Sequence, residues 1–186
     1  LPDDVADYLE DLSKQTSLLV ELGLQTVHDK TAKRINRCHT YADFLEGYEK
    51  LRARGIPVCA HIINGLPGET PEMMLETAQK LAELSLHSIK IHLLHVLKNT
   101  PAEGMLKRGE FSLLSLEKYV EIVCDQLELL PPELVIQRIT GDGKKEDLVG
   151  PLWSLKKFVV MNEIDKELKR RNTFQGSKQK KGEHQN

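Results

Sequence analysis

The sequence alternates between two apolar periodicities, and this alternation constrains the fold more than any other feature. Short runs rich in Leu, Val and Ile are typical of buried parallel strands, whereas apolar residues spaced three or four positions apart indicate helices. Four runs of the first kind are predicted as strands: 17–25, 56–64, 88–94 and 134–139. Five segments of the second kind are predicted as helices: 2–14, 41–54, 70–86, 115–130 and 153–171. This order predicts an α/β fold with a parallel sheet and flanking helices.

Chain length decides between the architectures that this pattern allows. A closed eight-strand barrel needs about 250 residues, whereas this chain has 186 residues and four predicted strands. The sequence therefore predicts an open α/β sheet or part of a barrel. Because the chain begins with Leu1 and enters a helical pattern at once, we expect it to be a piece of a longer protein whose earlier strands lie upstream.

Composition excludes several classes of protein. The charged fraction is 29% and the hydrophobic fraction is 40%, which is typical of a globular domain and not of a disordered or fibrous chain. No apolar run reaches the roughly 18 residues that a membrane span requires. The three cysteines, Cys38, Cys59 and Cys124, are too widely spaced for a disulfide framework or a metal knuckle. We therefore expect a cytoplasmic protein that does not enter the membrane.

The C-terminal end is basic, although the whole chain has a formal net charge of -2. Residues 166–186 contain seven Lys and Arg residues against two Glu residues. Because 176–186 lacks apolar side chains, we expect a basic, disordered tail there, following one ordered domain at 1–175. Such a tail either is simply solvated or attracts RNA, and the lack of an aromatic platform favours the first interpretation.

Each predicted strand has one apolar face and one face that carries polar groups. The polar groups are Glu21 and Gln25 in the first strand, His61 in the second, Lys90 and His92 in the third, and Gln137 and Arg138 in the fourth. Burying such groups without partners costs several kcal/mol each. They therefore either form an ion network inside a packed barrel or line a ligand cavity at the carboxyl ends of the strands. We favour the cavity.

Local motifs say less when each is taken alone. Segment 65–70 (GLPGET) follows a strand and precedes a helix, which fits an anion-binding helix start but also an ordinary tight turn. His92 and His95 could chelate a metal only if the strand ended between them, because an odd separation on a strand points to opposite faces. The sequence therefore predicts no metal site made by this chain.

An ordered set of segments carries a family resemblance. The segments are ELGLQT at 21–26, RINR at 34–37, HIINGLPGET at 61–70 and KIHLLH at 90–95. In this order and spacing they resemble the second half of a radical SAM domain, in the Elongator-like branch of YtqA/YhcC-type bacterial proteins. The resemblance extends over nearly the whole chain, to about residue 176.

The resemblance implies a fold and an activity. The fold would be the C-terminal portion of a partial (β/α)6 barrel. In the relatives, a 4Fe-4S cluster held by Cys-x3-Cys-x2-Cys binds S-adenosylmethionine, and reductive cleavage gives a 5'-deoxyadenosyl radical. This chain contains no such cysteine spacing, so we expect it to supply part of the S-adenosylmethionine cavity and to be inactive alone. The resemblance leaves both a tRNA and a small molecule open as substrates of the enzyme.

Residue by residue, the resemblance predicts five cofactor contacts. Gln25 would lie by the ribose, and Arg37 would grip the methionine carboxylate, for which a guanidinium offers a bidentate fork. His61 falls where a relative has an acidic residue near the ribose. Ile63 and Leu94 would flank the adenine. No catalytic residue and no metal ligand is assigned.

Two further interpretations stay open. The chain could be an RNA- or protein-binding fragment that uses the basic tail, or a small complete α/β enzyme with another cofactor.

If upstream strands are absent, the backbone at 18–24 forms an unpaired sheet edge, and such edges favour pairing with another chain. We therefore expect a homodimer through this edge.

Overall fold

The structure is a computed structural model that describes residues 1–141 and 145–179. Its strands are β1 (Val20–Gln25), β2 (Val58–Asn64), β3 (Ser88–Leu93), β4 (Val96–Leu97), β5 (Val135–Arg138) and β6 (Leu148–Gly150). Its helices are α1 (Asp3–Ser13), α2 (Asp29–Arg34), α3 (Tyr41–Ala53), α4 (Pro71–Ala82), α5 (Pro101–Lys107), α6 (Leu116–Leu129) and α7 (Lys157–Arg171), with a short 3-10 helix at Leu152–Leu155.

Four of the strands form one parallel sheet in the order β1-β2-β3-β5, and β4 pairs with β6 in a separate antiparallel ribbon. The prediction of an α/β fold with four parallel strands and flanking helices is confirmed. Within the described residues, the outer edge of β1 pairs with no other strand.

Local signals explain where the main helices begin and end. Thr40 and Asp43 form a reciprocal capping box at the start of α3, and Thr70 caps α4 with Pro71 in its first turn. Gly55, at φ +68°, takes the chain out of α3 in the left-handed region that glycine adopts most easily. The helix α5 and the β4–β6 ribbon were not predicted, because segments of two to seven residues are too short to show a period.

The apolar face of the sheet forms the core with the helices that cover it. Its fully buried side chains include Leu24, Ala60, Ile62, Ile89 and Ile91. The covering side chains come from α3, α4, α6 and α7: Phe44, Tyr48, Leu51, Ala78, Leu81, Tyr119, Val123, Leu127, Val160 and Ile164. Since this face is sealed by helices, ligands can approach the sheet only from the other face or from the strand ends.

One polar contact lies inside this core. Asn64 at the end of β2 and Gln126 in α6 are 1% and 0% exposed. Their amides exchange two hydrogen bonds: Asn64 Nδ2 donates to Gln126 Oε1 at 2.8 Å, and Gln126 Nε2 donates to Asn64 Oδ1 at 2.9 Å. Gln126 Nε2 also donates to the Met74 carbonyl at 3.1 Å. The pair therefore links the sheet to α6 and α4 at the carboxyl edge.

The residues at the start of the expected tail pack against α6. The Gly176 N–H donates to the Leu127 carbonyl at 3.0 Å, and the Lys178 N–H donates to the Glu128 carbonyl at 2.8 Å. The Lys178 ammonium also pairs with the Glu128 carboxylate, which is buried. Residues 180–186 of the tail lie outside the described residues.

In the part of the chain that the structure describes, every helix is too short or too polar to cross a lipid bilayer.

Candidate functional site

The strand register brings the polar residues of the sheet into rows on one face. Gly23 of β1 pairs with His61 of β2, His61 pairs with Lys90 of β3, and Lys90 pairs with Arg138 of β5. Partners in a parallel sheet point the same way, so these residues share one face. A register shift between β3 and β5 brings the Gln137 side chain to this face as well, where its Nε2 donates to Ser88 Oγ at 2.8 Å.

A carboxylate on β1 organises the middle of this face. Glu21 Oε2 lies 2.7 Å from His61 Nε2, and Glu21 Oε1 accepts a hydrogen bond from Lys90 Nζ at 2.5 Å. The bond from Lys90 lowers the pKa of Glu21, so the carboxyl group stays ionised. Burial lowers the pKa of His61 and outweighs the attraction of Glu21. The middle of the face thus holds an ion pair beside a neutral imidazole.

Two more histidines lie closer to the carboxyl edge. The His92 and His61 rings have centroids 5.3 Å apart, and burial lowers the pKa of His92 to about 4. The strand β3 ends at Leu93, so His95 lies beyond it. The His95 ring packs closely on Gly141, because a Cβ atom added to that glycine would lie 2.6 Å from His95 Cε1. The Nε2 atoms of both histidines are buried and have no hydrogen-bond partner among the described residues.

The end of β1 turns sharply at Gln25, which adopts φ +59°. The Thr26 N–H donates to the Leu24 carbonyl at 2.7 Å. An i to i+2 bond around a residue of positive φ is the rarer and more strained form of γ-turn. Gly23 has no side chain, and a Cβ atom added to it would lie only 2.6 Å from Gln25 Nε2. The Gln25 carboxamide therefore lies over Gly23, which shares the polar face with His61.

Arg37 lies beside this turn, and its side chain is 3% exposed. Its Nη1 donates to the carbonyls of Leu24 and Thr26, its Nε donates to the His39 carbonyl at 2.9 Å, and its Nη2 lies 3.4 Å from Asp29 Oδ1. The guanidinium therefore presents no free fork in this structure. Its contact with a cofactor carboxylate stays a prediction.

The two apolar residues of the predicted set lie at the carboxyl end of the sheet. Ile63 pairs in register with His92, so it continues the polar face toward that edge. The Leu94 N–H donates to the Asn64 carbonyl at 2.9 Å, just after β3. The structure thus places Gln25, His61 and Ile63 on one face, Leu94 at its carboxyl edge, and Arg37 beside the β1 turn. Their contacts with a cofactor stay predictions.

A contact that the sequence did not predict joins two loops at this edge. Thr26, after β1, is fully buried, and its Oγ1 donates to Glu69 Oε1 at 2.5 Å. Burial raises the pKa of Glu69. The two residues are 43 positions apart, and a Thr and a Glu each have many unrelated uses, so no local signal reveals the pair. It fixes the GLPGET loop against the β1 turn.

The cysteines do not fit an iron–sulfur cluster. Cys38 is exposed on the α2–α3 connection, whereas Cys59 and Cys124 are buried in β2 and α6. Among the described residues, no three His, Cys, Asp or Glu side chains converge as metal ligands. We therefore assign no residue of this chain to such a cluster.

Comparisons with known proteins identify the family. The family model described as the Radical SAM superfamily matches residues 1–81, and the model described as the Radical_SAM C-terminal domain matches residues 86–170. The chain belongs to the radical SAM superfamily. The predicted resemblance is thereby confirmed, and the two radical SAM models together account for most of the chain.

The relatives define how much of a radical SAM protein this chain represents. It is 54% identical over 176 residues to the Bacillus subtilis protein named "Uncharacterized protein YtqA", covering 95% of this chain and 55% of that protein. It is 29% identical over 126 residues to a tRNA uridine(34) acetyltransferase of Methanocaldococcus jannaschii, covering 66% and 23%. The chain spans about half the length of YtqA.

A solved structure supports the same fold. The archaeal Elp3 of Methanocaldococcus infernus, with an N-terminal deletion, superimposes with a TM-score of 0.78 at 21% identity, over 91% of this chain and 40% of that one. The open four-strand sheet thus has the same fold as part of that Elp3 chain. At this identity the likeness establishes the fold alone.

Proposed function

We propose that this chain is the C-terminal portion of a radical SAM enzyme and supplies part of its S-adenosylmethionine cavity. The observation that carries the proposal is the polar sheet face. On this face the Gln25 side chain lies over Gly23, and Gly23 pairs in register with His61. When bound to a reduced 4Fe-4S cluster, S-adenosylmethionine would supply a 5'-deoxyadenosyl radical. None of the described cysteines is placed to hold that cluster.

Each proposed contact has a chemical reason. The Gln25 carboxamide can both donate and accept, which suits the vicinal hydroxyls of a ribose. A neutral His61 has one donor and one acceptor nitrogen, and because its Nε2 lies 2.7 Å from the Glu21 carboxylate, Nδ1 is the nitrogen left for the ribose. Ile63 and Leu94 offer apolar surface for the adenine. Arg37 completes the predicted set. It would either bind the carboxylate of the methionine moiety or hold the β1 turn beside it.

Two further parts of the proposal concern the substrate of the whole enzyme and the oligomeric state of the chain. A relative that is named as a tRNA uridine(34) acetyltransferase supports a tRNA as the substrate of the whole enzyme, with a small molecule as the alternative. The unpaired outer edge of β1 supports a homodimer. Sedimentation velocity of the 186-residue chain at high concentration tests the dimer, and a clean monomer would contradict it.

Replacing Gln25 with alanine tests the cavity. We expect the affinity of the chain for S-adenosylmethionine to fall about three- to tenfold, because a neutral hydrogen bond contributes about 0.5–1.5 kcal/mol. Titration followed by 1H–15N NMR suits the weak binding expected of a partial cavity. The matched control is Gln79→Ala, which removes an exposed glutamine of α4. Equal affinities for Gln25→Ala and Gln79→Ala would contradict the ribose assignment.

Anaerobic reconstitution with iron and sulfide tests the cluster assignment. We expect the chain to acquire no stoichiometric iron–sulfur absorbance, because its three cysteines lie on separate elements and two of them are buried. Iron analysis and visible spectroscopy provide the measurement. One cluster bound per chain would show that the ligands had been assigned wrongly.

A further inference from the structure

We propose that Arg37 is a positioning residue, whose buried guanidinium holds the turn after β1 in the shape that carries Gln25 onto the polar face. The ligand side of this proposal rests on the proposed function, since it takes the face to be an S-adenosylmethionine cavity. The structural side rests on contacts within the chain. It differs from the predicted role, in which Arg37 grips the methionine carboxylate directly.

The first step is the use of the guanidinium donors. An arginine has five N–H donors. The bonds to Leu24, Thr26 and His39 occupy three of them, and the Asp29 contact occupies a fourth. With the side chain 3% exposed, the buried cation is compensated by three backbone carbonyls and by the Asp29 carboxylate. A carboxylate that approached from the cavity would have to displace these acceptors.

The second step is the shape of the turn. The Leu24 and Thr26 carbonyls flank Gln25 and accept from the same nitrogen, Arg37 Nη1. In an extended strand two such carbonyls lie about 6.6 Å apart, which is too far for one nitrogen to donate to both, so the chain must turn between them. Gln25 does so at φ +59°, in a γ-turn that is strained for a residue with a side chain. Arg37 supplies the contacts that hold this conformation.

The third step is the anchoring of Arg37 itself. The His39 ring bridges the strand and the loop, because its Nδ1 lies 3.1 Å from the Arg37 carbonyl and its Nε2 lies 3.1 Å from the Gly23 carbonyl. Asp29 Oδ1 also accepts from the Tyr41 N–H at 2.7 Å, at the start of α3. The arginine is thus fixed between β1, α2 and α3 without any ligand.

The two roles of Arg37 predict different ligand dependence. S-adenosylmethionine carries a carboxylate, whereas methylthioadenosine keeps the adenine and ribose but lacks the amino acid. If Arg37 positions Gln25, Arg37→Ala weakens both ligands by the same factor, about three- to tenfold. The double variant Arg37→Ala with Gln25→Ala then binds no more weakly than the weaker single variant. The control is Arg52→Ala, which removes a guanidinium of α3 that is 56% exposed.

Loss of S-adenosylmethionine affinity with unchanged methylthioadenosine affinity in Arg37→Ala would overturn the proposal in favour of the carboxylate contact. So would additive losses in the double variant. If Arg37→Ala does not fold, Arg37→Lys is titrated with the same two ligands, because it keeps the charge but loses the planar fork. The same criteria then apply.

An NMR signal provides a test without any variant. We expect the Arg37 Nε–H in the ligand-free chain to exchange slowly with solvent and to keep its chemical shift when S-adenosylmethionine is added. Exchange as fast as that of Arg52 would overturn the proposal. If the unaltered chain binds neither ligand, the proposed function loses its support. A protected Arg37 Nε–H in that case still supports the structural role.

Discussion

Replacing Gln126 with alanine is expected to lower the free energy of unfolding by about 3 kcal/mol. The change removes both bonds to Asn64 and the bond to the Met74 carbonyl. It also leaves the Asn64 amide, 1% exposed, without its partner in an apolar core. A buried polar group that loses its partner costs about 1–3 kcal/mol, and the emptied volume adds to this. Urea denaturation followed by circular dichroism measures the loss.

A double variant separates the amide pairing from simple packing. Removing both polar partners leaves no orphaned amide. The combination of Asn64→Leu and Gln126→Leu should therefore lower the free energy of unfolding by less than the sum of the losses from these two single variants. Gln79→Ala, on the exposed side of α4, should change stability by less than about 0.5 kcal/mol. Additive losses at 64 and 126 would show that the two amides do not act as a unit.

Acidification is expected to destabilise the chain because of His92. Its pKa is about 4 in the folded chain, where burial and the charges of Lys90 and Arg138 disfavour protonation, and about 6.5 when unfolded. Between these values the unfolded chain binds more protons, so stability is lost as the pH falls from about 6.5 toward 4. This histidine contributes about 2 kcal/mol, less than its full shift implies, because the ring is partly solvated.

The measurement is the urea midpoint at pH 7.5 and at pH 4.5 for the chain and for His92→Gln. The variant should lose part of the pH dependence and keep the remainder, since burial also lowers the pKa values of His61 and His95. His87→Gln is the control, because His87 is exposed just before β3. An identical pH dependence in the chain and in His92→Gln would exclude His92 as a source of acid sensitivity.

The sheet could be predicted because its information is local. Apolar runs predicted all four parallel strands, and their alternation predicted the face that carries Glu21, His61 and Lys90, which the register then brought together. Three of the eight strand boundaries coincide with the prediction, and the other five shift by one to three residues. In the first predicted strand, 17–25, the ladder begins only at Val20.

The β1 turn could not be predicted, because the contacts that hold it come from a residue distant in sequence and end on backbone carbonyls. Arg37 bonds to backbone carbonyls at Leu24 and Thr26, and any residue types there would offer the same acceptors. Gln25 is also an uncommon residue for positive φ. The sequence therefore suggested Arg37 and Gln25 as cofactor contacts, but it could not show that the donors of Arg37 already bond to the backbone beside Gln25.

The order of the parallel strands in space is the order of their appearance in the chain. A ribosome that releases this chain therefore delivers each strand after the one beside which it pairs. The strand β2 finds β1 already made, β3 finds β2, and β5 finds β3. No strand in the described part of the sheet has to insert between two strands that are already paired, so the sheet can grow in one direction as translation proceeds.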